Sequence, residues 1–129
     1  MKRKILIVED NVGLSQIQKD WLSRAGYDAV TAMSEPIARS LIRKTQFDLI
    51  LSDVRLPEGD GISLLEWLRK EKKDIPFIIT TEFVSVPDVV RTIKLGARDY
   101  LPKPVHREHL LELAEDVFHP VATVRKQER

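Results

Sequence analysis

The sequence predicts an α/β domain in which one parallel sheet is covered by helices on both faces. Three observations carry that expectation. Short apolar runs of strand length alternate five times with longer segments whose apolar residues recur at helical spacing. Two of the runs, Ile5 to Val8 and Phe47 to Ser52, are nearly continuous in apolar residues, as strands buried on both faces are. Three runs then end on charge: Glu9-Asp10 after the first, Asp53 after the third, Lys103 after the fifth. In an open parallel sheet these ends lie along one edge, the edge at which such folds bind ligands.

The elements follow in order. After the strand Lys4 to Val8, the residues Leu14, Ile17, Trp21 and Ala25 mark a helix over Val12 to Arg24, and Gly26 stops it. Tyr27 to Met33 is mixed in polarity and fits a strand near a sheet edge. Ile37, Ala38, Leu41 and Ile42 place a second helix, started at Ser34 or Glu35. Phe47 to Ser52 is the central strand, and Pro57-Glu58-Gly59-Asp60-Gly61 is a loop. Ile62, Leu65 and Leu68 give a third helical stripe. Pro76 opens a fourth strand, Phe77 to Thr80. Ser85 with Asp88 resembles a capping box, Pro87 is tolerated in a first turn, and Val86, Val89, Val90 and Ile93 form the stripe that Gly96 ends. Asp99 to Leu101 is a short fifth strand, and Leu110, Leu113, Ala114 and Val117 mark the last helix. The repetition is architectural, with no repeat in the sequence itself. A domain over 1–119 is expected, with 120–129 a polar linker or tail.

Composition narrows the classes. A chain of 129 residues with 43% hydrophobic and 32% charged residues suits one globular domain with a sizeable core. A net charge of +1 gives no electrostatic case for nucleic acid or an anionic membrane. The absence of cysteine excludes disulfides, thiolate metal sites and thiol nucleophiles. The apolar runs are far shorter than the roughly 20 residues a membrane helix needs. The basic start flows directly into acids, so it reads as a strand and not a leader, and a cytoplasmic protein is expected.

Clustered carboxylates suit Mg²⁺, a hard cation that takes oxygen ligands, with water and phosphate completing its shell. Asp10 and Asp53 are the natural direct ligands, with Glu9 close enough to act through water. An ionised Asp53 can then attack phosphorus directly, without a general base. Lys103 beside it would neutralise a phosphoryl group, and phosphoryl transfer consists mainly of positioning and charge neutralisation. Taken singly, each acid reads as a helix cap or loop solvator and the lysine as a surface charge. It is their shared edge that weakens the bland reading.

These residues resemble the receiver domains of two-component response regulators, of the chemotaxis-regulator-like kind. The resemblance covers residues 4 to about 118 and rests on Glu9-Asp10, on Asp53-Val-Arg-Leu-Pro-Glu-Gly-Asp-Gly61, and on Lys-Leu-Gly-Ala-Arg-Asp-Tyr-Leu-Pro-Lys-Pro104. It implies a flavodoxin-like, doubly wound (βα)5 fold with a five-stranded parallel sheet of order 2-1-3-4-5. It implies that Asp53 accepts a phosphoryl group from a sensor histidine kinase or phosphotransfer protein, with Mg²⁺ held by Asp10, Asp53 and the Arg55 backbone carbonyl. Lys103 would pair with the phosphoryl oxygens, and Lys103-Pro104 would be a cis peptide. Thr81 aligns with the family's switch hydroxyl and Tyr100 with its switch aromatic. Such a protein catalyses only its own phosphotransfer and dephosphorylation.

The chain departs from the pattern at Glu82, where the family usually carries a small residue. If turned inward, this glutamate would repel a phosphoryl anion and slow transfer or alter dephosphorylation. Arg55 and Phe83 can reach over the site and tune it. Leu56 replaces a common Met, a volume-conserving change. His106 and His109 lack a third metal ligand and read as surface histidines. Trp21 and Trp67 read as core covers.

Other classes fit less well. A docking module that no longer cycles phosphate rests on Glu82 alone. A flavodoxin-type redox carrier needs a phosphate cradle where Glu9-Asp10 stands, and an aspartyl-phosphate hydrolase needs an acid where Arg55 stands. An output domain, and a homodimer through the fourth and fifth helices, are compatible with the pattern.

Overall fold

The computed structural model describes residues 2–82 and 85–120, with the backbone alone for Val86. Phe83, the Val86 side chain and the tail from 121 onward, on which sequence expectations fell, lie outside the described residues. Five strands alternate with five helices: β1 Lys4–Val8, α1 Val12–Arg24, β2 Asp28–Ala32, α2 Glu35–Lys44, β3 Leu49–Asp53, α3 Gly61–Lys70, β4 Phe77–Thr81, α4 Val86–Lys94, β5 Asp99–Pro102 and α5 Arg107–Phe118. All strand pairs are parallel, in the order β2-β1-β3-β4-β5. This is the doubly wound, flavodoxin-like fold expected, with Tyr27 to Met33 supplying an edge strand. Asp53 is the last residue of β3, so its backbone is fixed by the sheet.

Strand side chains alternate between two apolar cores, one on each face of the sheet. Leu6, Val8, Ile50 and Ile79 meet Ala38 and Ile42 of α2 and Leu64, Leu65 and Leu68 of α3. Ile5, Ile7, Leu49 and Ile78 meet Leu22 of α1 and Leu110 and Ala114 of α5. Because each central strand feeds both cores, it is apolar over most of its length, and buried Ser52 and Thr80 come only toward the ends of β3 and β4. Four helices begin on a side chain that accepts a backbone N–H: Asn11 from Leu14, Ser34 from Ile37, Asp60 from Ser63 and Ser85 from Asp88. Asn11, and not the Glu9-Asp10 pair, caps α1. Trp67 lies partly buried against the first core and Trp21 against the second. His106 and His109 are exposed, as expected of surface histidines.

The helix stripes are only partly as the periodicity predicts. On α1 the buried residues are Ser15, Gln18 and Leu22, while Ile17 is 48% exposed. On α4 Thr92 is buried, while Val90 and Ile93 are 45% and 64% exposed. Ile37 on α2 is likewise exposed. Periodicity marks an apolar row but not the direction it faces, and on α1 the row of Ser15, Gln18 and Leu22 turns to the sheet instead. Leu22→Ala is therefore expected to cost about 2–5 kcal/mol by urea denaturation, and Ile17→Ala less than about 0.5 kcal/mol. Equal losses would contradict the orientation of α1.

Candidate phosphoryl and metal site

The chemistry-bearing residues meet where β1, β3, β4 and β5 end. Glu9 follows β1 so closely that its N–H still donates to the Ala32 carbonyl at 3.0 Å. Its side chain is held inward, with 2% of the residue exposed. Oε2 accepts the Asn11 N–H at 3.0 Å and Oε1 accepts Lys103 Nζ at 2.8 Å. Asp53, 7% exposed, accepts Lys103 Nζ on Oδ2 at 2.6 Å and the Arg55 N–H on Oδ1 at 3.2 Å. One ammonium thus bridges two buried carboxylates that come from neighbouring strands.

Lys103 is aimed by its own backbone. Its N–H donates to the Thr81 carbonyl at 2.9 Å, and the peptide joining it to Pro104 is cis, as the resemblance implies. On the other side the chain after Asp53 turns tightly, with Gly61 N–H donating to the Val54 carbonyl at 2.8 Å. A Cβ on Gly61 would lie 2.2 Å from the Asp53 carbonyl oxygen, so only glycine lets α3 start this close to the end of β3.

Asp10 is exposed at the mouth, and one carboxylate oxygen each from Glu9, Asp10 and Asp53 lie within 4.8 Å of one another. Three hard oxygen donors at that spacing fit Mg²⁺, which needs few protein ligands. The open pocket they line has a volume of about 320 Å³ and also receives Thr81, Arg55 and Glu82. Thr81 is buried at the end of β4, and Glu82 is exposed at the lip. Tyr100 stands apart: it pairs in the sheet with Ile79, is 40% exposed and does not line the pocket. Asn11, cap of α1 and pocket wall, was not among the expected site residues, although Asn is among the best N-cap residues. Gly61, expected to end the loop and the Asp53–Gly61 motif, is the first residue of α3.

Electrostatics reflect the crowding. Burial pushes the Glu9 carboxyl above its ordinary value, against the hydrogen bonds from Lys103 and the Asn11 N–H, and the Asp53 charge adds to the rise. For Lys103 burial pulls downward, but hydrogen bonds to Asp53 and Glu9 and their charges outweigh it, so the ammonium is held above its usual range.

A family model for the response regulator receiver domain matches residues 5–115, and the chain belongs to that family. The transcriptional regulatory protein ZraR of Salmonella typhimurium is 40% identical over 114 residues, covering 88% of this chain and 26% of that protein. The response regulator protein PilR of Pseudomonas aeruginosa is 33% identical, covering 87% of this chain and 25% of that protein. The chain thus spans about a quarter of the length of these curated relatives. Among solved structures, the signal receiver domain of a LuxO repressor protein from Vibrio parahaemolyticus superposes with a TM-score of 0.88 at 26% identity, covering 100% of this chain and 99% of that one. The non-phosphorylated HemR receiver domain of Leptospira biflexa gives 0.85 at 36% identity, covering 92% and 95%. It is therefore a two-component response regulator receiver.

The raised Glu9 value has a consequence for stability in Mg²⁺-free buffer. The folded protein keeps a proton that the unfolded chain has lost, so Glu9 favours folding at low pH. That contribution falls as pH rises from 4.5 through the raised folded value. Urea denaturation across this window should show wild type losing stability relative to Glu9→Gln. Parallel profiles would show that burial does not raise the Glu9 carboxyl in the folded protein.

Proposed function

We propose that this receiver accepts a phosphoryl group on Asp53 from a phosphohistidine of a sensor histidine kinase or phosphotransfer protein, and that the modification switches its output surface. The observation that carries this reading is the Lys103 ammonium bridging Asp53 and Glu9 inside a pocket that also holds Asp10 and Thr81. Such a pocket concentrates negative oxygens and one cation at a strand end, the inventory for phosphoryl transfer by positioning and charge neutralisation.

Asp10, Asp53 and the Arg55 backbone carbonyl would hold Mg²⁺, with Glu9 acting through water. Bound there, the cation supplies neutralisation of the charge shared between carboxylate and phosphoryl oxygens. An ionised Asp53 oxygen forms the new P–O bond as the P–N bond of the donor breaks, and the histidine nitrogen leaves with the electron pair. Lys103 shifts from its carboxylate bridge toward the phosphoryl oxygens. The Thr81 hydroxyl donates to them, and Tyr100, now exposed, rotates toward the space Thr81 vacates. Phosphorylation biases an equilibrium between two states that exist already. The domain catalyses its own phosphotransfer and dephosphorylation and is otherwise a signalling phospho-acceptor.

The donor's approach has a surface to match. Beside the acidic pocket lies an open groove lined by Leu14, Ile17, Trp21, Pro104 and Val105, and the two share Asn11, Leu14, Glu82 and Lys103. A phosphohistidine-bearing protein with an apolar face would seat there and present phosphorus over Asp53. Glu82 at the lip modulates entry, with Phe83 as a second modulator. The exposure of Glu82 favours this reading over the competing one, a phosphorylation-independent docking module.

Since ZraR is named a transcriptional regulatory protein, the output partner we favour is a further domain of a transcriptional regulator, reached through a linker at 120–129 after a receiver over 1–119. For a homodimer we favour contact through α4 and α5, since Val90 and Ile93 of α4 are exposed. No helix among the described residues is long and apolar enough to cross a membrane, and we place the receiver in the cytoplasm, with no direct nucleic-acid contact of its own.

Intact mass spectrometry after incubation with acetyl phosphate tests the chemistry. One phosphoryl adduct is expected, dependent on Mg²⁺ and absent from Asp53→Asn. An adduct that persists in the variant, or none in wild type, would overturn the assignment.

A further inference from the structure

The loop that follows Asp53 is braced from outside the pocket by an acid on α2. Glu35 occupies the first turn of that helix, where an acid ordinarily faces solvent and complements the helix dipole. Here it is 4% exposed and points into the β3–α3 loop. Oε1 accepts the Asp60 N–H at 2.9 Å, while Oε2 accepts Arg39 Nε at 2.8 Å and pairs with Arg39 Nη2. The loop is shaped around this carboxylate. Gly59 sits at φ +85°, and a Cβ there would lie 2.0 Å from Glu35 Oε1.

The residue Glu35 grips is the one that pairs with Arg55. Arg55 and Asp60 form an isolated antiparallel bridge across the loop. Asp60 also caps α3 through Oδ1, which accepts the Ser63 N–H at 2.7 Å. A buried charged acceptor on a backbone N–H makes a strong, directional bond, stronger than the loop could supply alone.

We propose that Glu35 is a positioning residue for metal binding, setting the place of the Arg55 backbone carbonyl through the Asp60 N–H and the Arg55–Asp60 bridge. The inference rests on the reading of the site in which that carbonyl joins Asp10 and Asp53. Glu35 itself never touches the metal or the phosphoryl group. It acts as the outer support that orients a ligand, a role whose loss typically weakens metal affinity 10- to 100-fold.

Calorimetric titration with Mg²⁺ alone, on the full chain, separates this from a merely structural ion pair. Glu35→Gln keeps an oxygen for the Asp60 N–H but loses the charge that pairs Arg39. Glu35→Asp keeps the charge but shortens the reach to Asp60. Positioning predicts that Glu35→Asp binds Mg²⁺ about tenfold more weakly while Glu35→Gln stays within about threefold of wild type. A role confined to the Arg39 pair predicts the opposite ranking, and that result would overturn the proposal, as would wild-type affinity in both. Glu35→Ala gives the same loss by a second route should the shortened side chain unfold the domain. Arg39→Leu should lower urea stability and leave Mg²⁺ affinity unchanged, and a tenfold loss there would count against positioning. If wild type takes up no Mg²⁺, the site reading fails and this inference with it.

Discussion

Two carboxylates held out of water must share a counter-charge, and in this domain Lys103 supplies it to both Glu9 and Asp53. Much of the architecture can be understood as the means of bringing these three groups together. The strand order sets β1 beside β3, with Val8 opposite Ser52, so the acids that follow are neighbours. Lys103 comes from beyond β5 and reaches across the end of β4, which its own N–H grips at Thr81. Taking one partner from such a buried pair leaves an uncompensated charge, at a cost of about 3–5 kcal/mol. The arrangement keeps negative oxygens dehydrated and available, at the expense of local stability, as binding sites generally do.

A sheet floor and two loop walls divide the labour. The floor is the sheet, whose strands feed both cores and carry the functional groups at or just past their ends: Asp53 and Thr81 close β3 and β4, and Glu9 and Lys103 follow β1 and β5. The walls are the Asp53–Gly61 turn, stiffened by Gly61 against the Asp53 carbonyl, and the cis Lys103–Pro104 step. Outside them, α1 and α4 expose apolar residues that the sheet does not need. Such residues are free for other surfaces: Ile17 lines the groove beside the pocket, and Val90 and Ile93 lie on α4.

The strands and the charged ends were legible because each rests on a short, local pattern. A run such as Ile5 to Val8 has few alternatives, and a carboxylate directly after it can only sit at the strand end. The helix faces were less legible, since periodicity identifies a stripe but not the direction it faces. Ser15, Gln18 and Thr92 are buried where apolar neighbours one row away were expected to be. The exposure of Tyr100 depends on how the fifth strand, at the sheet edge, is covered. Glu35 was invisible for a stronger reason. Its burial comes from a partner 25 residues away, and nothing near it in sequence distinguishes it from an ordinary acid in a first helical turn.

The stability of Lys103→Met, measured by urea denaturation with and without saturating Mg²⁺, bears most directly on this shared counter-charge. In metal-free buffer the variant should lose about 3–5 kcal/mol, because Glu9 and Asp53 are left buried without a cation. Mg²⁺ should then stabilise the variant clearly more than wild type, since it restores the missing positive charge. A variant as stable as wild type without metal, or one that gains no more from Mg²⁺ than wild type does, would contradict the central role given to Lys103.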